Sequence, residues 1–261
     1  MRSIADGATI TGSVTMVERI GDTVRRPMGY SSPAVHALLR HLERVGVGGA
    51  PRALGVDDEG REVLTYLQDE SALRSWPPVL LSDWGIVTLA NWLREYHRLV
   101  VRFVPLTDSQ WMIPELRREP RQIVRHRDLG PWNSIWQRES LVGFIDWDKT
   151  EPGYPVQDVD QLVWYETGPI GPRRKSDYGF DPIPDVHHRF ALVCYLFGMA
   201  VSDVAGVLAK LHTEDLYRME RFSAHRMEPW LSWKNQHGDE LAEEVTWLKR
   251  NKGWFLSEVA A

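Results

Sequence analysis

The sequence has a single cysteine, Cys194, in 261 residues. A disulfide framework and a cysteine-based zinc site are thereby excluded. Long hydrophobic runs are missing too. The longest, Phe190 to Val201, is 12 residues, too short to span a bilayer. The opening residues, MRSIADGATITG, lack the apolar stretch of a signal peptide. No sign of charge dominates: 31 basic and 36 acidic residues are interspersed, for a net charge of −5. That is no electrostatic footprint for nucleic acid. These absences lead to the expectation of a cytoplasmic protein that engages neither membrane nor nucleic acid. Lysine does not occur before Lys149, and no acidic residue lies between Pro27 and Leu42. What remains is a globular balance, 43% hydrophobic and 26% charged, which excludes disorder and suffices for a sizeable core.

Residues 1–68 read as strands around one helix. Ile10 to Ile20 is rich in β-branched residues, and Gly21-Asp22 marks a turn before Thr23-Val24-Arg25-Arg26, closed by Pro27. Ser32-Pro33 reads as a helix start. Val35, Leu38, Leu39, Leu42 and Val45 follow at helical spacing until glycines at 46, 48 and 49. Ala53 to Val56 and Glu62 to Leu67 read as further strands. Ser82-Asp83 then caps a helix with Ile86, Leu89, Ala90, Leu93, His97 and Val100 on one face, where His97 is expected as a satisfied core histidine. Residues 167–184 read as a loop, and the pattern is helical from Asp185 onward. The expected architecture is α+β with two lobes. A β-rich N-terminal lobe takes in residues 1–68, a connector lies near Tyr66 to Leu73, and residues 69–261 form a larger, mostly helical lobe.

One stretch carries chemistry. His126-Arg127-Asp128-Leu129 with Asn133 fits H-R-D-L-x-x-x-N. Thirteen residues later, Asp146 ends the apolar strand Leu141 to Ile145. Phosphoryl transfer needs a carboxylate to orient and deprotonate a hydroxyl, and oxygen ligands for a Mg²⁺ that bridges phosphates. A short loop can place Asp128 and Asn133 on one side of a cleft, and a hairpin can return the chain so that Asp146 faces the same point. Asp148 is expected as a loop carboxylate, Trp132 as a packing residue, and the acidic groups around Glu214-Asp215 and Asp239 to Glu244 as solvated helix faces.

These residues resemble the aminoglycoside phosphotransferase family, which includes choline kinase-like and other small-molecule kinases of protein-kinase-like fold. The resemblance covers roughly residues 10–250 and is strongest over His126 to Trp164, where G-x-P-x-x-D follows the two motifs. It implies that Asp128 is the catalytic base, that Asn133 and Asp146 ligate Mg²⁺, and that Asp158 braces the catalytic loop, with His126 shaping it. It further implies that ATP or GTP is cosubstrate, its base against Tyr66 and Leu67 of the connector, and that the acceptor is a hydroxylated small molecule. Two features depart from the pattern. The strand lysine that holds phosphates is missing, so an arginine must serve. A proline-anchored strand pattern selects Arg25, whereas apolar alternation with Val24 selects Arg26; Arg25 is the expected residue. The helix glutamate that pairs with such a lysine is also missing, with Val35 at its place and His36 beside it, and only Gly12 stands for a phosphate-covering loop. A degenerate, kinase-like nucleotide-binding regulator is therefore the alternative to an enzyme. A protein kinase is disfavoured by the lack of D-F-G and A-P-E segments.

Overall fold

The computed structural model describes residues 7, 9–11, 16–68, 70–71, 77–106, 108–168, 170–171, 180, 183–251 and 253–256. Gly12 and Ser13, most of the 167–184 stretch, and connector positions 69, 72 and 73 lie outside these.

β-branched and arginine-rich segments build an antiparallel sheet from β1 (Thr9–Thr11), β2 (Met16–Ile20), β3 (Thr23–Pro27), β4 (Ala53–Val56) and β5 (Arg61–Thr65), in the order β1-β2-β3-β5-β4. Between β3 and β4 runs α1 (Ser32–Val45). It starts with Ser31 as cap, one residue before the expected position, and ends on left-handed Gly46. Its apolar stripe, Ala34, Val35, Leu38, Leu39 and Leu42, is buried. Each such leucine contributes roughly 1.5–3 kcal/mol.

The β3–β5 register decides which face each side chain takes. Val24 stands opposite Leu64 and Arg26 opposite Glu62, whereas Arg25 stands opposite Val63. Because side chains alternate along a strand, Val24, Arg26, Glu62 and Leu64 share one face. Leu64 is buried in the core there and Val24 packs against it. Arg25 belongs to the other face.

The second lobe is mostly helical: α2 (Asp83–Val100), α3 (Val156–Glu166), α4 (Val186–Phe197), α5 (Val201–Ala224) and α6 (Trp230–Arg250). Ser82 Oγ caps α2 by accepting from the Gly85 N–H. Short strands carry the chemical segment between α2 and α3, namely β7 (Ile123–Arg125), β8 (Ser134–Gln137), β9 (Ser140–Phe144) and β10 (Glu151–Gly153), and β6 (Glu70–Ser71), which precedes α2, joins them. β8 pairs with β6 and β9, and β7 with β10.

The lobes meet where the segment after α1 crosses β9. The Phe144 N–H donates to Gly49 O at 2.8 Å, and Trp92 Nε1 donates to Gly48 O at 2.8 Å. A Cβ on Gly143 would sit 2.0 Å from Gly49 O, so this approach requires glycine there. Among the described residues no single helix is long and apolar enough to cross a membrane.

Candidate active site

The loop from His126 to Asn133 is held from below by aromatic packing and from the side by α3. The His126 ring meets Trp147 edge-on at 4.4 Å. Its Nδ1 accepts from the Asp128 N–H (3.2 Å), so Nε2 carries the proton and donates to Ile145 O (3.1 Å). This ring thus ties the loop to the strand end that carries Asp146. Its burial depresses the imidazole to about 4, against the opposing pull of the Asp128 and Asp158 carboxylates, so it is neutral at physiological pH.

Asp158 lies in the first turn of α3 and is fully buried. Its Oδ1 accepts a long bond from the Arg127 N–H (3.4 Å), and its Oδ2 meets His97 Nε2 at 3.1 Å. Gln161, one turn on, donates to Arg127 O at 2.8 Å. Arg127 itself has left-handed φ (65°). Its guanidinium is buried between Glu151 (2.9 Å) and Asp215 of α5. Arg125 and Arg218 also reach Glu151, at 2.6 and 3.0 Å. Asp215, expected on a solvated face, is part-buried and joins the ion network around Glu151 that fixes α5 to the loop. Sequence alone offered no signal for it beyond helical spacing.

Asn133 ends a 3₁₀ turn, Pro131–Asn133. Its Nδ2 donates to Asp128 O (2.9 Å), and its own carbonyl accepts from the Ile145 N–H (2.9 Å). The amide donor thus faces the loop, and Oδ1 is the atom left for a ligand. Two bonds thereby link Asp128, Asn133 and the residue preceding Asp146. Asp146 has φ 62° and ψ 65°, a left-handed position that turns the chain sharply out of β9 and is costly for a non-glycine residue. Its side chain is 47% open to solvent. Its carboxyl is pushed up to about 6, first by desolvation in the cleft and then by the Asp148 charge, with Arg26 and Lys149 opposing. Trp132 packs edge-on against Tyr165 at 4.8 Å.

The cation that reaches this cluster from the sheet is Arg26. Its Nε lies 2.6 Å from Glu62 Oε1, its terminal nitrogens 3.0 and 2.5 Å from the two Asp148 oxygens, and Nη1 3.6 Å from Asp146. Three carboxylates raise its pKa against the desolvation that burial imposes. Arg25, the expected residue, turns the other way, to Thr23 and to Asp57 at 3.7 Å. Core alternation with Val24 and Leu64 sets the face, and the spacing from Pro27 does not.

Glu62, on the neighbouring strand, pairs with the strand cation where the resemblance would expect a helix glutamate. It is buried, and His36 of α1 meets its Oε2 at 2.6 Å. Burial alone would raise its carboxyl; the His36 hydrogen bond and the Arg26 charge hold it below its ordinary value. The helix thus reaches the strand cation through His36 and Glu62 in series. Glu62, and Asp148 as a partner of Arg26, were not identified from sequence, and His36 was noted only as lying beside the place of the missing glutamate. Lys149 was also missed: its Nζ lies 2.9 Å from Asp128 Oδ2. In the connector, the Tyr66 N–H donates to Asp22 O (2.9 Å) and its ring lies under the Arg19 guanidinium at 4.1 Å. The Tyr66 amide is committed within the sheet, and half-buried Leu67 follows it.

Residues 106–192, which span the whole chemical segment, match the model of the phosphotransferase enzyme family. A trifolitoxin immunity protein of Rhizobium leguminosarum bv. trifolii is 26% identical over 250 residues, covering 94% of this chain and 92% of that protein. In the GDP complex of wild-type aminoglycoside 2'-phosphotransferase-IIIa, 94% of the chain aligns with 95% of this one at TM-score 0.58 and 17% identity. An amicoumacin kinase, hAmiN, in complex with AMP-PNP, Ca²⁺ and Ami aligns over 94% of this chain and 88% of its own, at TM-score 0.56 and 10% identity. The fold is the two-lobed, protein-kinase-like one, with a small β-rich lobe and a larger helical lobe.

Proposed function

We propose, from a chain that bears the phosphotransferase-family signature on a kinase-like fold, that the protein transfers the γ-phosphoryl group of ATP or GTP to a hydroxyl of a small molecule, with Mg²⁺. The observation that supports this is the pair of hydrogen bonds that ties Asn133 to Asp128 and to the residue before Asp146, with Arg26 of the sheet 3.6 Å from Asp146. Asp128 accepts the acceptor's proton as its oxygen attacks phosphorus. His126 and Asp158 hold the loop that presents it. The half-open Asp146 carboxylate and the free Asn133 Oδ1 form a hard-oxygen donor set that fits Mg²⁺. Once bound there, the ion would neutralise phosphate charge. The base of the nucleotide lies against Tyr66 and Leu67; since Asp22 O already holds the Tyr66 N–H, the Leu67 backbone donates the hydrogen bond to it.

The binding-only alternative drew its support from the missing helix glutamate. The contacts of Glu62 with Arg26 and His36 support the enzyme reading over that alternative. Relatives named for aminoglycosides, amicoumacin and trifolitoxin immunity favour a natural-product antibiotic as acceptor, modified in the cytoplasm where nucleoside triphosphates are available. The test is a screen of γ-³²P-labelled ATP and GTP against hydroxylated metabolites and antibiotics, with and without Mg²⁺. A labelled, Mg²⁺-dependent phosphate ester is the expected product. Tight nucleotide binding with no ester and no phosphate release across the panel would favour the regulator.

A further inference from the structure

Lys149 stands where the reaction would take place, and the proposed chemistry has not yet used it. It closes a single 3₁₀ turn, Trp147–Lys149. Three residues per turn send three successive side chains in three directions. Trp147 goes into the core, Asp148 goes to Arg26, and Lys149 goes to Asp128. The ammonium rests on the Trp233 ring of α6, 4.7 Å from its centroid, and its side chain is 28% exposed.

The two cations of the cleft differ in what they have left to offer. Arg26 is occupied by Glu62, Asp148 and Asp146. Lys149 has one carboxylate and one indole face. An ammonium has three N–H donors, and an indole face attracts the cation electrostatically, so donors remain. A hydroxyl held by Asp128 lies about 2.6–3.2 Å from it, and the phosphorus it attacks lies about 3–3.5 Å beyond. A group 2.9 Å from Asp128 Oδ2 is then within reach of the oxygens of the transferring phosphoryl group.

Resting on the phosphotransferase reading, we propose that Lys149 is a catalytic residue that contacts the γ-phosphoryl group and stabilises its charge during transfer. In that step the acceptor O–H gives its proton to Asp128 and its oxygen bonds to the γ-phosphorus. The bond from that phosphorus to the β,γ-bridging oxygen breaks, and the electron pair leaves with the nucleoside diphosphate. Lys149 keeps its proton throughout and hydrogen-bonds a non-bridging oxygen. This contact exists only with a triphosphate, which separates it from a purely structural ion pair to Asp128.

The experiment compares triphosphate and diphosphate affinity by calorimetry, and nucleotide turnover, in wild type, Lys149→Met and Lys149→Arg. Lys149→Met is expected to lose the preference for triphosphate over diphosphate, keep diphosphate affinity within about twofold, and slow turnover by roughly 10²–10³-fold, as for loss of a transition-state donor. Lys149→Arg should recover part of both. Should Lys149→Met fail to fold, Lys149→Cys treated with 2-bromoethylamine restores an ammonium at the same place. Cys194 will not compete, since burial pushes its thiol up to about 12. Retained triphosphate preference and turnover within threefold of wild type in Lys149→Met, or no gain of either on aminoethylation of Lys149→Cys, overturns the proposal and leaves the phosphotransferase reading standing. A wild type that binds no nucleotide overturns both.

Discussion

Arg26 and Glu62 stand directly opposite each other on β3 and β5, with Nε and Oε1 2.6 Å apart, and His36 of α1 holds the other Glu62 oxygen. The pair is buried and its remaining polar atoms are satisfied by His36, Asp148 and Asp146. Such a pair is costly to break, because the partner left behind is an uncompensated buried charge.

Arg26→Ala strips Asp146 and Asp148 of their neutralising cation and is expected to weaken nucleotide binding roughly tenfold or more through the added negative charge, and Arg25→Ala to leave it within about twofold. Glu62→Ala should lower stability by about 3–5 kcal/mol, and Glu62→Gln by less while still weakening nucleotide binding. Parallel nucleotide titrations and urea melts check this. A larger loss in Arg25→Ala would show that the opposite face of β3 meets the nucleotide.

Asp146→Ala should abolish the Mg²⁺-dependent tightening of nucleotide binding. Asp148→Ala should preserve it, since Asp148 is bound bidentately to Arg26. Calorimetry with and without Mg²⁺ separates the two. The reverse pattern would place the metal on Asp148.

His126 gives the fold an acid sensitivity. Its folded pKa, about 4, is below the ordinary 6.5. Between those values the unfolded chain binds a proton that the folded chain does not, so stability falls as pH drops through that window. The fall is on the order of 3 kcal/mol for this fully buried ring. Urea melts at pH 7 and pH 4.5 should show it, and a His126→Gln variant should show a smaller difference. Equal pH dependence in both proteins would mean the ring ionises freely.

Asp160 of α3 is buried with no partner on either oxygen, and burial raises its carboxyl well above its ordinary value despite Arg125 nearby. Here the folded state retains a proton that the unfolded chain has lost. The penalty grows as pH rises above the ordinary 3.8 toward the folded value. Asp160→Asn should therefore be more stable than wild type at pH 8 and gain less at pH 4.5, as thermal melts at both values would read. A destabilised variant at pH 8 would mean the carboxylate is ionised and held.

The two-lobed fold was legible because its signals are local. Helical apolar spacing placed α1 and α2, and the H-R-D and I-D motifs lie within one loop and one hairpin. His126, Asp128, Asn133 and Asp146 are joined by contacts within that loop and hairpin, whereas Asp158 was placed beside them by the family resemblance alone. What escaped depends on register between distant segments. The face taken by Arg26 is set by Leu64, 38 positions on. The substitution of Glu62 and His36 for a helix glutamate requires β3, β5 and α1 to be assembled first. Asp215 looks like one more surface acid until α5 is laid against Arg127. Lys149 carries no motif, and only the rotation of a 3₁₀ turn shows that it meets Asp128.

The most direct measurement is phosphate release from γ-labelled nucleotide with Mg²⁺, in wild type and Asp128→Asn, with nucleotide affinity measured in the same preparations. If Asp128 is the base of a phosphotransferase, wild type should turn over. The variant should lose roughly 10²–10⁴-fold and bind nucleotide within a few fold of wild type. Equal turnover in the two proteins, or nucleotide binding by wild type with no release of phosphate to water or to any acceptor, would contradict it.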